Sequence, residues 1–182
     1  AAALSAATDL FDVAEELLDF CVVALDELPA GAPERSYVAF GLPAIDCEQL
    51  TVHAFQVGEA STVPQETVMD TFRRANPYPR LNLVFLVVTI VRDCYPGPTL
   101  GATATVPDVA DLVAASRELY ADGWQLWNAI KAGLQDGELF STEGCKFVGW
   151  QPMQPLGPAG NTAGWTLPLQ VQLDGFTPPP PV

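Results

Sequence analysis

Two long strand-like segments with a cysteine at the outer end of each constrain the fold of this chain more than any other feature. The first covers residues 47–57 and begins with Cys47; the second covers residues 80–96 and contains Cys94. If the two segments pair as an antiparallel hairpin, their outer ends meet at its base. We therefore predict that Cys47 and Cys94 are neighbours there, with Cα atoms within about 7 Å, which leaves either a disulfide or two neighbouring thiols open.

The periodicity of apolar residues predicts the other elements. Residues 81–92 are apolar on both alternating faces, which is typical of a central strand covered on both sides. Helical spacing of apolar residues predicts helices over 9–28 and 107–135, and further strands are expected at 36–42, 145–154 and 165–173. The chain is thus predicted to be an α+β protein with a single mixed or mainly antiparallel sheet of about five strands and two long helices on one face, in the order α-β-β-β-α-β-β.

The second predicted helix has a wide apolar side. Pro107 is suited to its first turn, Gly137 to its C-terminal stop, and Gly123 is a weak point within it. A glycine-rich loop is expected over 157–164, between the last two strands. The residues expected to face the core from this helix are Val109, Leu112, Val113, Ser116, Leu119, Tyr120, Trp124, Trp127, Ile130 and Leu134.

Length and composition fit one domain with either a large core or an oligomeric interface. The chain of 182 residues is expected to form one domain over 1–176, followed by a stiff polyproline tail at 177–182. Hydrophobic residues make up 49% and charged residues only 16% of the chain. Apolar surface left over after folding is normally covered by a partner. No membrane segment is expected, because the longest apolar run is far shorter than the ~20 residues that span a bilayer.

The charge balance argues against nucleic-acid binding. The formal net charge is −14, whereas proteins that grip nucleic acid carry basic patches. The polar side of the first predicted helix is acidic without a basic residue, which is either a solvated surface or a functional one. Its acidic residues are Asp9, Asp12, Glu15, Glu16, Asp19, Asp26 and Glu27.

Residue patterns that carry chemistry are sparse. His53 is the only histidine, and its mid-strand position favours a structural role over catalysis. The four cysteines form neither a CxxC pair nor a cluster with histidine, so a zinc site is not expected. No nucleophile elbow and no phosphate-binding loop are present in the sequence. We therefore expect no enzyme activity and no catalytic, cofactor-binding or metal-binding residues.

Several short pieces of the chain form a recognisable set. They are CEQL at 47–50, VRDCYP at 91–96, the helix that ends near Trp124–Trp127, GWQP at 149–152, GPAG at 157–160 and GW at 164–165. Together these pieces resemble neck proteins of siphophages that infect actinobacteria, and within that group a tail terminator. The resemblance spans roughly residues 9–173 and leaves the polyproline tail outside.

The resemblance implies a small structural virion protein located at the head–tail junction and assembled in the host cytoplasm. Tail terminators form a ring, commonly a hexamer, that caps the finished tail tube and presents a surface to the head-side connector. The implied partners are further copies of the chain, the tail tube protein and the head–tail connector protein. Double-stranded DNA would pass through the ring without specific binding, and no cofactor is implied.

Two groups of residues are expected to serve this ring. The connector at 59–79 is long and locally basic in an acidic protein, and with the following residue it supplies Arg73, Arg74 and Arg80 as contacts to a neighbouring subunit or neck protein. The acidic side of the first helix is expected to line the hole and keep DNA mobile, with Asp12, Glu15, Glu16 and Asp19 as the candidates. An adaptor or stopper of the head–tail connector, and a small-molecule-binding α+β domain, are the alternatives.

Overall fold

A mixed sheet of six strands carries two helices on one of its faces in the part of the chain that the structure describes. The structure is a computed structural model that describes residues 9–41, 43–44, 46–60, 81–96, 106–141 and 144–174. Its elements in chain order are α1 (Leu10–Asp26), β1 (Ser36–Ala39), β2 (Gln49–Ala60), β3 (Leu81–Arg92), α2 (Val109–Asp136), β4 (Cys145–Trp150), β5 (Gln154–Ala159) and β6 (Thr162–Asp174). The predicted α+β class with two helices and a mixed sheet is confirmed.

The long strands β3 and β6 form the centre of the sheet. The strand order is β1-β2-β3-β6-β4, in which β1 runs parallel to β2 and the other neighbours are antiparallel. The strand β6 pairs with β3 over its whole length, while its other edge is shared by β4 and β5. The predicted antiparallel pairing of β2 with β3 is confirmed, with Gln49 opposite Val91 at one end.

Both helices begin and end close to the predicted positions, and an aspartate caps the N-terminus of each. The side chain of Asp9 accepts a hydrogen bond from the backbone N–H of Phe11 at the start of α1, at 3.1 Å. Asp108 caps α2 in the same way, and Gly137 ends it in the left-handed conformation with φ 72°. Pro107 precedes the cap, so its placement in the first turn of the helix is wrong.

The core lies between the helices and one face of the sheet. Both helices contribute buried residues to the same cluster, and Cys21 of α1 is fully buried within it, as expected. Alternate residues of β3 from Val84 to Ile90 face this core, and Val87, Thr89 and Val91 on its opposite face are buried as well. The prediction that β3 is covered on both sides is therefore confirmed.

The outward side of α2 differs from the prediction. Val109 is 71% exposed, and Tyr120 and Trp124 are each 66% exposed, although all three were expected to face the core. The helix is turned so that small and polar residues face the sheet instead, because Asp122 pairs with a buried arginine and Gly123 makes room for a tryptophan. The buried residues of α2 are Ala115, Leu119, Asp122, Gly123, Leu126, Ile130 and Gly133.

The end of the chain contains one more strand than predicted. The expected loop at 157–164 is a hairpin, in which Gly160 and Asn161 form a tight turn between β5 and β6. Gly160 has φ 64°, which suits glycine at such a turn. The order is therefore α-β-β-β-α-β-β-β, since glycine and proline residues that indicated a loop belong to a strand at the sheet edge.

We predict that Gly164→Ala lowers the free energy of unfolding by about 3 kcal/mol, because overpacking a tight contact is costly. A Cβ atom at Gly164 would overlap the backbone carbonyl oxygen of Ile90 on the neighbouring strand, which cannot move aside. Urea denaturation measures the effect. The matched control is Gly149→Ala in β4, where no atom lies within 4 Å of the added Cβ. Equal stability of the two variants would contradict this close approach.

Candidate functional site

A buried ion pair at the end of β3 organises the surroundings of the candidate site. Arg92 is almost fully buried, and its Nε and Nη2 donate to the two carboxylate oxygens of Asp122 in α2, each at 2.9 Å. Its other contacts are the backbone oxygen of Gly31, at 2.6 Å from Nη2, and the carboxylate of Glu48, at 2.8 Å from Nη1. One side chain thus ties together β3, α2, the loop after α1 and the residue before β2.

These partners stabilise the protonated, charged form of Arg92. Burial alone lowers the pKa of a guanidinium, but the hydrogen bonds and charges of Asp122 and Glu48 outweigh burial and hold the pKa of Arg92 above its usual value. Asp122 is fully buried, whereas the side chain of Glu48 is 43% exposed. The pair with Asp122 therefore carries the structural role, while solvent screens the pair with Glu48.

Gly123, next to Asp122 in α2, positions a tryptophan of β6. A Cβ atom at Gly123 would come within 2.9 Å of the indole Nε1 of Trp165. That indole N–H donates to the backbone oxygen of Leu119 in α2, at 2.7 Å. The same stretch of α2 thus receives an arginine from β3 and a tryptophan from β6, and both fix the rotation of the helix.

Beside Trp165 lies an apolar groove of about 250 Å³ between α2 and the β5–β6 hairpin. The ring of Tyr120 lies 5.6 Å from that of Trp165, at an angle of 56°. Tyr95 lines the groove from the end of β3, and its backbone N–H donates to the oxygen of Asn161 in the hairpin turn at 2.9 Å. The opposite wall includes Pro155, Leu156 and Pro158. Sequence reasoning missed this groove because its walls come from three separate parts of the chain.

Three of the four candidate lumen residues lie on the exposed side of α1. Asp12, Glu15 and Asp19 are exposed there, as predicted for an outward acidic face. Glu16 differs, because it is half-buried and its carboxylate accepts a hydrogen bond from the backbone N–H of Phe140 at 2.7 Å. Glu16 thus fastens α1 to the segment after α2, where Phe140 has φ 57°.

The connector arginines Arg73, Arg74 and Arg80 lie outside the described residues, so their role stays a prediction. Cys47 comes just before β2 and Cys94 just after β3, at the same end of this antiparallel pair. Both thiols are free. The Sγ of Cys47 lies 3.8 Å from Oε1 of Gln49. Burial raises the pKa of the Cys94 thiol, with Glu118 and Asp122 adding to the effect. The two side chains thus have different surroundings, and the Cα separation stays a prediction.

His53 lies on the face of the sheet opposite the helices and is only 2% exposed. Its Nδ1, and the hydroxyl oxygens of Thr51 and Thr89, make no hydrogen bond with the described part of the chain. Burial lowers the pKa of His53, so its imidazole is held neutral. Thr51 and Thr89 are paired across β2 and β3, which makes this a small buried polar patch within the sheet.

The described residues contain neither a metal-binding cluster nor a membrane-spanning helix. Among the described residues, no group of three or more histidine, cysteine or acidic side chains is placed to hold a metal ion. No described helix has the length and apolar character needed to cross a membrane. The described residues thus form an aromatic groove, an acidic exposed side of α1 and an apolar exposed side of α2.

We predict that Asp122→Ala lowers the free energy of unfolding by about 3–5 kcal/mol, because it leaves the buried guanidinium of Arg92 without its main partner. The double variant R92M/D122L should recover most of this loss, since well-packed apolar residues replace a buried ion pair at little cost. Chemical denaturation measures all the variants. Glu48→Gln is the control and should cost less than about 1 kcal/mol. A cost for Glu48→Gln as large as that for Asp122→Ala would contradict the ranking of the two pairs.

We predict that His53 makes the protein less stable as the pH falls below about 6.5, the ordinary pKa of histidine. The unfolded chain then binds a proton that the folded chain, with its lowered His53 pKa, does not bind, so the free energy of unfolding decreases. Denaturation at about pH 7.5, 6.5 and 5.5, which span the ordinary titration range of histidine, measures this slope. His53→Gln should reduce the slope of the free energy of unfolding against pH. Equal slopes for the two proteins would contradict the prediction, because they would mean that His53 binds its proton equally well in the folded and unfolded chain.

Comparisons with known proteins leave the family of the chain open. No protein-family model matches it, and a search of curated proteins finds no match. The resemblance to phage neck proteins therefore rests on the short sequence pieces given above. The fold, the ion pair and the groove are features of this chain that stand independently of that resemblance.

Proposed function

We propose that this chain is a structural subunit of a phage neck, a tail terminator that forms a ring, commonly a hexamer, on the finished tail tube. The ring would stop tube growth, join the tube to the head-side connector and let DNA pass through an acidic hole. The observation that carries the proposal is the exposed apolar side of α2, because a subunit separated from its ring shows its interface as uncovered apolar surface.

The exposed side chains of α2 form a continuous stripe at helical spacing. Val109, Val113, Tyr120 and Trp124 are all exposed and recur on one side of the helix. Arg117 and Lys131 are exposed on the same helix. Aromatic residues and arginine are enriched at protein interfaces, which supports this stripe as a contact between subunits.

The exposed side of α1 has the opposite character. Asp12, Glu15 and Asp19 lie there, and α1 contains no basic residue. Each phosphate of a passing duplex would be repelled over about 8 Å at physiological salt, whereas basic side chains would hold DNA by releasing its counterions. An acidic surface of this kind suits the wall of a hole through which DNA slides.

The alternative functions make different demands on the structure. A small-molecule site is usually a pocket of about 300–1,000 Å³ lined mainly by apolar side chains. The groove between α2 and the hairpin, at about 250 Å³, is smaller than that, and a second cavity of about 320 Å³ beside the start of α2 has Asp111 and Glu118 in its lining. An adaptor or stopper would share the ring and the acidic hole with a terminator. It would differ in position, because it would contact the head-side connector and not the last ring of the tail tube.

We predict that the chain, mixed with its tail tube protein, gives a ring that native mass spectrometry resolves as a closed oligomer on the tube end. Trp124→Glu should abolish that ring while leaving the circular dichroism of the subunit unchanged, because it adds charge to the exposed stripe of α2. Ala132→Glu, at an exposed position of α2 outside the stripe, is the control and should assemble normally.

Two results would count against the proposal. Ring formation by the Trp124→Glu variant would show that the stripe is not the subunit contact. A map of the native particle that places the chain away from the end of the tail tube, or that shows a hole lined by lysine and arginine, would overturn the terminator assignment itself.

A further inference from the structure

The groove between α2 and the β5–β6 hairpin has the chemistry of a proline-binding surface. Three aromatic residues line it, Tyr95, Tyr120 and Trp165, and prolines at 155 and 158 lie on the facing wall. Aromatic-lined grooves of this kind bind proline-rich segments in the polyproline II conformation, which is already formed in the free ligand and so loses little entropy on binding.

Two of the polar groups that border the groove already make hydrogen bonds within the fold. The indole N–H of Trp165 donates to the oxygen of Leu119, and the hydroxyl of Ser116 donates to the oxygen of Leu112 at 2.7 Å. A ligand would therefore be held mainly by packing against rings, and a proline-rich segment meets this condition because its backbone stays hydrated along one side. A hydrogen bond holds the ring of Trp165 in place, and the backbone of Tyr95 is tied to the hairpin turn.

The chain itself contains such a segment. Four consecutive prolines, Pro178–Pro181, follow β6 within a few residues of Asp174. We propose that the groove binds the Pro178–Pro181 segment of a second copy of this chain. The proposal concerns a binding site and its ligand, and it does not depend on the assignment to a phage neck.

The length of β6 is the reason for a second copy. Trp165 and the groove lie near the start of β6, while the segment leaves from its end at Asp174, about 30 Å away along an extended strand. From Asp174 the chain reaches at most ~14 Å to Pro178 and ~25 Å to Pro181, even when fully extended. The proline segment of the same copy thus ends short of its own groove.

An exchange of this kind links copies head to tail, because each copy offers one groove and one proline segment at opposite ends of β6. Such contacts between unlike surfaces generate closed rings when the rotation between copies closes, and open filaments when it does not. A segment that binds weakly as a free peptide would still hold neighbouring copies together, because attachment raises its effective concentration.

The first experiment measures the groove and its ligand. A peptide of residues 175–182 is titrated into the full chain carrying P178A/P179A/P180A/P181A, and the NMR signal of the Trp165 indole N–H is followed. We expect saturable binding that shifts this signal. Tyr120→Ala in the same background should weaken the affinity by about tenfold or more, as for an interface aromatic residue, whereas Trp124→Ala, outside the groove lining, should leave it within about twofold.

Two results of this titration would overturn the proposal. One is the absence of saturable binding, and the other is equal binding of a control peptide with alanine in place of the four prolines. An equal loss of affinity in the Trp124→Ala and Tyr120→Ala variants would move the peptide from the groove to the exposed stripe, and so would also overturn it. Circular dichroism of each variant controls for folding, which the exposure of Tyr120 should preserve.

The second experiment tests exchange between copies. The four-alanine variant has a groove without a proline segment, and the full chain with Tyr120→Ala has a segment with a damaged groove. Native mass spectrometry should show a dimer in their mixture that is weaker or absent for either protein alone. If the peptide binds but the mixture shows no dimer, a second copy is not the occupant of the groove and the proposal is overturned. That result would not bear on the phage-neck proposal, which the ring experiment tests.

Discussion

The structure depends first on the buried pair of Arg92 and Asp122. Arginine keeps its proton inside a protein, so its burial requires an acidic partner with matching geometry. Asp122 supplies both carboxylate oxygens from the middle of α2, and Gly31 and Glu48 complete the shell from two other segments. Because the guanidinium joins three other parts of the chain to β3, the sheet, the long helix and the loop after α1 are fixed relative to one another.

That pair also decides which surface the protein shows. With Asp122 turned toward β3 and Gly123 against Trp165, the apolar side chains of Tyr120 and Trp124 must face outward. The aromatic groove and the exposed stripe of α2 are therefore consequences of how one polar residue is buried. An interaction inside the protein thus sets the surface on which the proposed contacts between copies depend.

The two helices divide the proposed functions between them. The exposed side of α1 is acidic, which suits contact with solvent and with a passing polyanion. The exposed side of α2 is apolar and aromatic, which suits contact with protein. Both helices pack on the same face of the sheet, so a subunit placed in a ring would present both surfaces from one layer.

The sequence by itself determined the elements whose signals are local. The bounds of β3, the glycine that ends α2 and the antiparallel pairing of β2 with β3 follow from periodicity and from turn chemistry. Only the tertiary structure decided the rotation of α2, the extra strand β5, the groove and the anchoring role of Glu16. A helix with apolar residues on two sides has no inward face that its own sequence specifies. The inward face of α2 is set by Arg92, distant in sequence, because a buried guanidinium without an acidic partner is costly and Asp122 supplies that partner.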